Sequence, residues 1–233
     1  EVDGPGGTKA LTAENILVAT GGWPVVPDMP GKEFAITSNQ AFFLPELPLR
    51  VLIVGGGYIA AEFAGIFHGI GVAVTQLYRG GLFMRGFDMD LRRHLAAEMV
   101  KKGIDLRFNA NIAGIETAGS RLVAVLEDGT TVETDAVLYA TGRAPNTRNL
   151  GLEACGVDMQ DNGAVIIDAH FRTSVDNIYA LGDVTDRMLL TPVAIGEAMA
   201  FSRTLFRGEA VAMDYADVPT AVFCQPPLGT VGL

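Results

Sequence analysis

Arg50-Val51-Leu52-Ile53-Val54-Gly55-Gly56-Gly57-Tyr58-Ile59-Ala60-Ala61-Glu62 is the stretch that decides the fold. Val51 to Val54 form a continuous apolar run, the pattern of a strand covered on both faces of its sheet. Three glycines break the run, and Tyr58 to Gly69 then repeat at helical spacing. Strand, tight turn and helix in that order make Gly55-x-Gly57-x-x-Ala60 a dinucleotide phosphate loop. Gly55 allows the turn, Gly57 lets the backbone approach a pyrophosphate, and Ala60 is small enough for helix–strand packing. The helix N-terminus adds N–H groups and a partial positive charge. A glycine-rich turn in another α/β fold shares the spacing but lacks the second strand at the right distance.

Working outward, Val72 to Tyr78 is a second strand, and Asp88 caps a second helix that runs to Lys102 and ends at Gly103. Asp105 to Phe108 is a third strand, which completes a doubly wound α/β unit. Upstream, the buried strand Ile16 to Ala19 ends at Thr20-Gly21-Gly22. Pro24, Pro27, Pro30, Pro45 and Pro48 then read as a linker between units. Downstream, strands at Leu122 to Leu126 and Thr131 to Glu133 flank the turn Asp128-Gly129. Asp135 to Ala140 is a further buried strand, ending at Thr141-Gly142-Arg143. Strands are expected at Val165 to Asp168 and Ile178 to Leu181, and a helix from Pro192 to Phe206.

The end of the second strand selects the nucleotide. An acid there would accept hydrogen bonds from the ribose hydroxyls of NAD. The chain instead reads Leu77-Tyr78-Arg79, with Arg85 in the adjoining loop. Guanidinium groups match a 2′-phosphate, so the pair points to NADP(H). The plain alternative is two solvated surface arginines.

Composition narrows the partners. Of 233 residues, 49% are hydrophobic and 19% charged, enough for a sizeable core and too few charges for disorder. A net charge of −10 argues against nucleic acid, which needs clustered Lys and Arg. No apolar run is long enough to cross a membrane, and Glu1-Val2-Asp3-Gly4 is unlike a signal peptide. Cys155 and Cys224 form no paired motif and read as ordinary core thiols, which fits a reducing, cytoplasmic setting. No metal-thiolate motif is visible. The chain opens and stops mid-pattern, as an internal piece of a longer protein would.

Several motifs together resemble glutathione reductase, of the flavoprotein pyridine nucleotide–disulfide oxidoreductase family. They are Gly55 to Glu62, Met84-Arg85-Gly86-Phe87-Asp88, Ala140-Thr141-Gly142-Arg143-Ala144-Pro145-Asn146, and Ile178-Tyr179-Ala180-Leu181-Gly182-Asp183-Val184. Leu190-Thr191-Pro192-Val193-Ala194 and Ala221 to Pro227 add to them. The resemblance covers nearly the whole chain. It implies an α/β fold in which a doubly wound, Rossmann-type NADP-binding domain, residues 23–143, is inserted into an FAD-binding domain, residues 1–22 and 144–219. Residues 220–233 would open a dimer-interface domain, and the parent protein would be a homodimer.

The resemblance also implies roles. Tyr58 matches the tyrosine that covers the flavin until nicotinamide displaces it. Glu62 matches an acid beside the nicotinamide. Asp183 matches the carboxylate on the ribityl chain of FAD. Thr191 and its helix would face the flavin pyrimidine edge, and Thr20 and Gly21 would close the first flavin segment. Gly142 joins the cofactor-binding residues through its motif. The redox pair Cys-x4-Cys and the proton-donating His of the family are absent from these 233 residues. Met199 stands where many glutathione reductases carry a substrate-binding arginine. The expected activity is hydride transfer from NADPH through FAD to glutathione disulfide. A trypanothione-like substrate and a non-catalytic NADPH-binding module are the alternatives.

Overall fold

The computed structural model describes residues 1–232 and divides into two compact units. One comprises Glu1–Trp23 with Ala144–Tyr215, the other Pro24–Arg143 with Ala216–Leu233. In chain order the principal elements are β1 (Ile16–Val18), β2 (Ala35–Ile36), β3 (Arg50–Val54), α1 (Tyr58–Gly69) and β4 (Ala73–Tyr78). There follow α2 (Met89–Lys102), β5 (Asp105–Phe108), β6 (Ile112–Ala118), β7 (Arg121–Leu126), β8 (Thr131–Thr134) and β9 (Ala136–Tyr139). The last are β10 (Ile178–Ala180), α3 (Thr191–Arg207), β11 (Thr220–Val222) and β12 (Leu228–Thr230).

The second unit is built on a parallel sheet in the order β2-β9-β3-β4-β5. Alternate residues of its central strands point to opposite faces. Val51, Ile53, Val74 and Leu138 pack with Ala60, Ala64 and Phe67 of α1 and Leu95 and Met99 of α2. Leu52, Val54, Leu77, Val137 and Tyr139 pack on the other face with Ile112, Ile115, Ala124 and Leu126. Those four belong to the antiparallel sheet β8-β7-β6. Cover on both faces is why β3 and β9 are apolar without alternation. The β11–β12 hairpin adds Val222 and Leu228 to the helix-side core. Burial on that second face also pushes the Tyr139 hydroxyl up to about 12.

The expected helix signals hold. The Asp88 side chain accepts from the N–H groups of Asp90 and Leu91 at the start of α2, and Gly103 ends it at φ 106°. Arg50 anchors the start of β3 through Asp135 at 2.9 Å and Glu133 at 3.0 Å. Its guanidinium holds the Asp135 carboxyl below the usual carboxylate range.

Three expectations are corrected. The proline-rich stretch is not a linker, because β2 within it pairs with β9 at the sheet edge. A short helix, Ser38–Ala41, follows behind a Thr37–Gln40 capping box. The prolines leave residues 35–41 untouched, which is where the pairing and the turn occur. Val165 to Asp168 is not a strand: Val165 makes only an isolated bridge with Met159. There the Asp168 side chain accepts from the His170 and Arg172 N–H groups and turns the chain instead. Cys155 is exposed, not a core thiol, because the turn Glu153–Cys155 lies at the surface.

In the first unit β1 and β10 pair in parallel, Ile16 with Ile178 through Val18 with Ala180. Val18, Val165, Ile178, Ala180 and Val184 form one core cluster. Phe171, Tyr179, Leu181 and the α3 residues Ala200 and Phe201 form another.

Candidate functional site

The three loop glycines sit in different surroundings. Gly55 has φ 146°, and a Cβ on it would lie 2.2 Å from the Ala140 carbonyl oxygen. The fold itself therefore demands glycine there. Its N–H donates to Leu77 O at 2.9 Å. Its carbonyl accepts from Gln76 Nε2 at 3.0 Å. A Cβ on Gly56 would meet the Tyr78 ring at 2.3 Å, and the Gly56 carbonyl accepts from the Met84 N–H. Gly57 is different. Its backbone is extended, it caps α1 without a side-chain hydrogen bond, and a Cβ there would meet nothing within 4 Å. The space above Gly57 is open, which suits close approach of a phosphate to the helix N-terminus. Ala60 is buried beneath the loop and faces Gly55.

Arg79 follows β4 directly, and Arg85 follows in the loop that leads to α2. Both are exposed and neither has a hydrogen bond or ion pair among the described residues. By contrast Arg50, Arg93, Arg107 and Arg121 of the same unit each sit in an ion pair. The loop carrying Arg85 is well held. Arg92 donates to Phe83 O at 2.7 Å and to Leu82 O at 2.6 Å. Phe83 is fully buried against Phe108, and Met84 is buried in a left-handed conformation at φ 57°.

Tyr58 opens α1 and is 37% exposed. Glu62, one turn on, is half-buried and accepts from the Phe223 N–H at 2.8 Å. It is therefore not a bare surface acid. Gly142 is exposed at φ 143°, and its carbonyl accepts from Val25 N at 3.0 Å. Gly55, Gly57, Arg79 and Gly142 thus follow the C-terminal ends of β3, β4 and β9. That edge of an open parallel sheet is where ligands bind. Arg85 is held near by the bond from Met84 to Gly56.

The first unit carries the other four expected residues. Thr20 Oγ1 donates to Asn146 O at 2.8 Å, and the Asn146 N–H donates to Gly21 O at 2.9 Å. Asp183 is half-buried in the turn Gly182–Thr185 that follows β10. Thr191 is the first residue of α3, whose N-terminus has no side-chain cap bond. The Gly182 N–H donates to Glu197 Oε2 at 2.6 Å, and the Tyr215 hydroxyl donates to Glu197 Oε1 at 2.6 Å. Burial, with Glu197 beside it, pushes the Tyr215 hydroxyl up. Met199 is 64% exposed on α3. A cleft of about 490 Å³ in this unit, lined by Asp168, Arg187, Met213 and Tyr215, contains none of the expected residues.

Sequence reasoning missed Gln76, Arg92 and Glu197. A polar residue inside the apolar run Val72 to Tyr78 was the available signal for Gln76. A charge at the buried spacing between Val193 and Phe201 was the signal for Glu197. Arg92 carried none. Burial pushes the Cys224 thiol up, which suits a core residue and opposes a reactive thiolate. Among the described residues no cluster of His, Cys, Asp or Glu has metal-binding geometry, and no helix is long and apolar enough to cross a membrane.

A family model, pyridine nucleotide-disulphide oxidoreductase, matches residues 1–198. Glutathione reductase of Burkholderia cepacia is 50% identical over 224 residues, covering 96% of this chain and 50% of that protein. Trypanothione reductase of Trypanosoma congolense is 47% identical over 230 residues, covering 97% of this chain and 46% of that protein. Among solved structures, the Cu(II) complex of the HOCl-induced flavoprotein disulfide reductase RclA from Escherichia coli matches with a TM-score of 0.94 and 33% identity. That match covers 100% of this chain and 53% of that one. The chain therefore spans about half the length of the relatives it matches.

Proposed function

The chain belongs to the pyridine nucleotide-disulphide oxidoreductase family, and on that premise we propose that it forms the NADPH-binding region and part of the FAD-binding region of a disulfide reductase acting on glutathione disulfide. One observation carries the choice of nucleotide. Two exposed arginines without partners, Arg79 and Arg85, follow the strand end where an NAD site would carry an acid. The open space over Gly57 supports pyrophosphate binding at the N-terminus of α1.

In this reading residues 23–143 hold NADPH. Gly55, Gly57 and Ala60 admit the pyrophosphate, Arg79 and Arg85 hold the 2′-phosphate, and Gly142 lies on the same sheet edge. Tyr58 covers the flavin until nicotinamide displaces it, and Glu62 lies beside the nicotinamide. Residues 1–22 and 144–219 hold FAD. Asp183 binds the ribityl hydroxyls, and Thr20 and Gly21 close the adjoining turn. Thr191, with the N-terminus of α3, stabilises negative charge at the pyrimidine edge. When bound, the two cofactors supply the hydride and electron chemistry, and the protein supplies binding and orientation. Residues 220–233 begin the interface of a homodimer, and the compartment is the reducing cytoplasm. Met199, standing where many glutathione reductases carry a substrate-binding arginine, supports a second reading, in which the disulfide is a trypanothione-like one.

Titration of NADPH and NADH against wild type and the Arg79→Glu/Arg85→Ala variant at fixed salt tests the proposal. A charge-assisted hydrogen bond contributes about 1.5–3 kcal/mol, so two give a preference on the order of a hundredfold, reduced by salt. Wild type is expected to prefer NADPH, and the variant to lose that preference. Equal affinities in wild type, or an NADPH preference kept in the variant, would refute the assignment.

A further inference from the structure

Gln76 sits in β4 between Ile53 of β3 and Leu106 of β5, in a layer otherwise apolar. It is 2% exposed. Nε2 donates to the Gly55 carbonyl at 3.0 Å. Oε1 is buried and has no hydrogen-bond partner among the described residues. A buried amide oxygen without a donor destabilises a fold; a leucine would remove that cost, and its loss of the donor to the buried Gly55 carbonyl offsets the gain. The contribution of Gln76 must then lie in the bond to Gly55.

That bond has a directional consequence. A trans peptide sets its carbonyl and the following N–H on opposite sides. With the Gly55 carbonyl drawn down toward β4, the Gly56 N–H is turned away from the sheet. It has no partner among the described residues. The Gly56 carbonyl is in turn held by the Met84 N–H, and the Tyr78 ring lies beneath Gly56. Both peptide planes of the loop are therefore set before any ligand arrives, which cuts the ordering cost of binding. We propose that Gln76 is a positioning residue of the dinucleotide site: by fixing the Gly55–Gly56 peptide it aims the loop N–H at a pyrophosphate. The inference rests on the dinucleotide reading above.

The test uses Gln76→Met, which keeps the length of the side chain but has no donor for the Gly55 carbonyl, and Gln76→Leu, which removes both the donor and the unpaired oxygen. NADPH and NADH affinities are measured by calorimetry, and thermal midpoints are measured without nucleotide. Both variants are expected to bind both nucleotides about tenfold more weakly, with the NADPH-to-NADH ratio unchanged. Gln76→Leu is expected to do so without a matching fall in thermal midpoint, which a purely structural role would not produce. Unchanged affinities in Gln76→Leu overturn the proposal. So does a loss that merely follows the unfolded fraction, or a shift in the ratio, since the pyrophosphate is common to both nucleotides. If wild type binds neither nucleotide, the dinucleotide reading itself fails.

Discussion

Arg50 and Arg79 are the same residue type with opposite surroundings, and their partners assign them different work. Arg50 is engaged by Asp135 and Glu133 where β3 begins. Its guanidinium lowers the Asp135 carboxyl, and together with Arg121 it lowers that of Glu133. A carboxylate with a depressed folded-state value adds stability that is present above its unfolded value, about 3.9 for Asp. The contribution is lost as pH falls through the lower folded value. Arg50, with its own value raised, stays charged throughout. Thermal midpoints measured from pH 6 down to about 2 should therefore fall, and Asp135→Asn should flatten part of that slope. An identical slope in the variant would remove the pair from the account of acid sensitivity.

At the scale of elements, the phosphate loop separates structural from ligand-facing glycines. Gly55→Ala should destabilise by on the order of 3 kcal/mol, since the new Cβ meets the backbone oxygen of Ala140 at a φ of 146°. Gly57→Ala should change stability by no more than about 0.5 kcal/mol, because nothing lies within 4 Å of the added Cβ. It should nevertheless weaken NADPH binding, because the methyl group enters the space left for the pyrophosphate. Chemical denaturation and nucleotide titration of the two variants measure these effects. A Gly57→Ala protein with unaltered NADPH affinity would show that the pyrophosphate passes elsewhere.

For the whole molecule, the chain spans about half of its reductase relatives, and its two cysteines are Cys155, which is exposed, and Cys224, which is fully buried. A dithiol that passes electrons to a disulfide needs two sulfurs within bonding reach, and the sequence carries no Cys-x4-Cys pair. The purified 233-residue chain is therefore expected to bind NADPH yet catalyse no multiple-turnover reduction of glutathione disulfide. Steady-state oxidation of NADPH by the chain with that disulfide would contradict this.

What the sequence by itself determined is local. The run Val51 to Val54, the glycine turn, the helix from Tyr58, the Asp88 cap and the Gly103 stop are each specified by residues within a turn or two of one another. Hydrophobic period, φ preference and capping act over that range. The expectation of NADPH came from the same kind of local reading, at Tyr78-Arg79. Tertiary structure decided what depends on partners far along the chain. Ala35–Ile36 is too short to signal a strand, and it becomes one only because β9 offers its edge. Val165 to Asp168 has strand-like residues but finds no ladder, so side-chain turns prevail. Gln76 meets Gly55, Glu62 meets Phe223, and Glu197 meets Gly182 across the fold. Most buried polar groups find hydrogen-bond partners wherever the folded chain brings them, and no local pattern records which ones those will be.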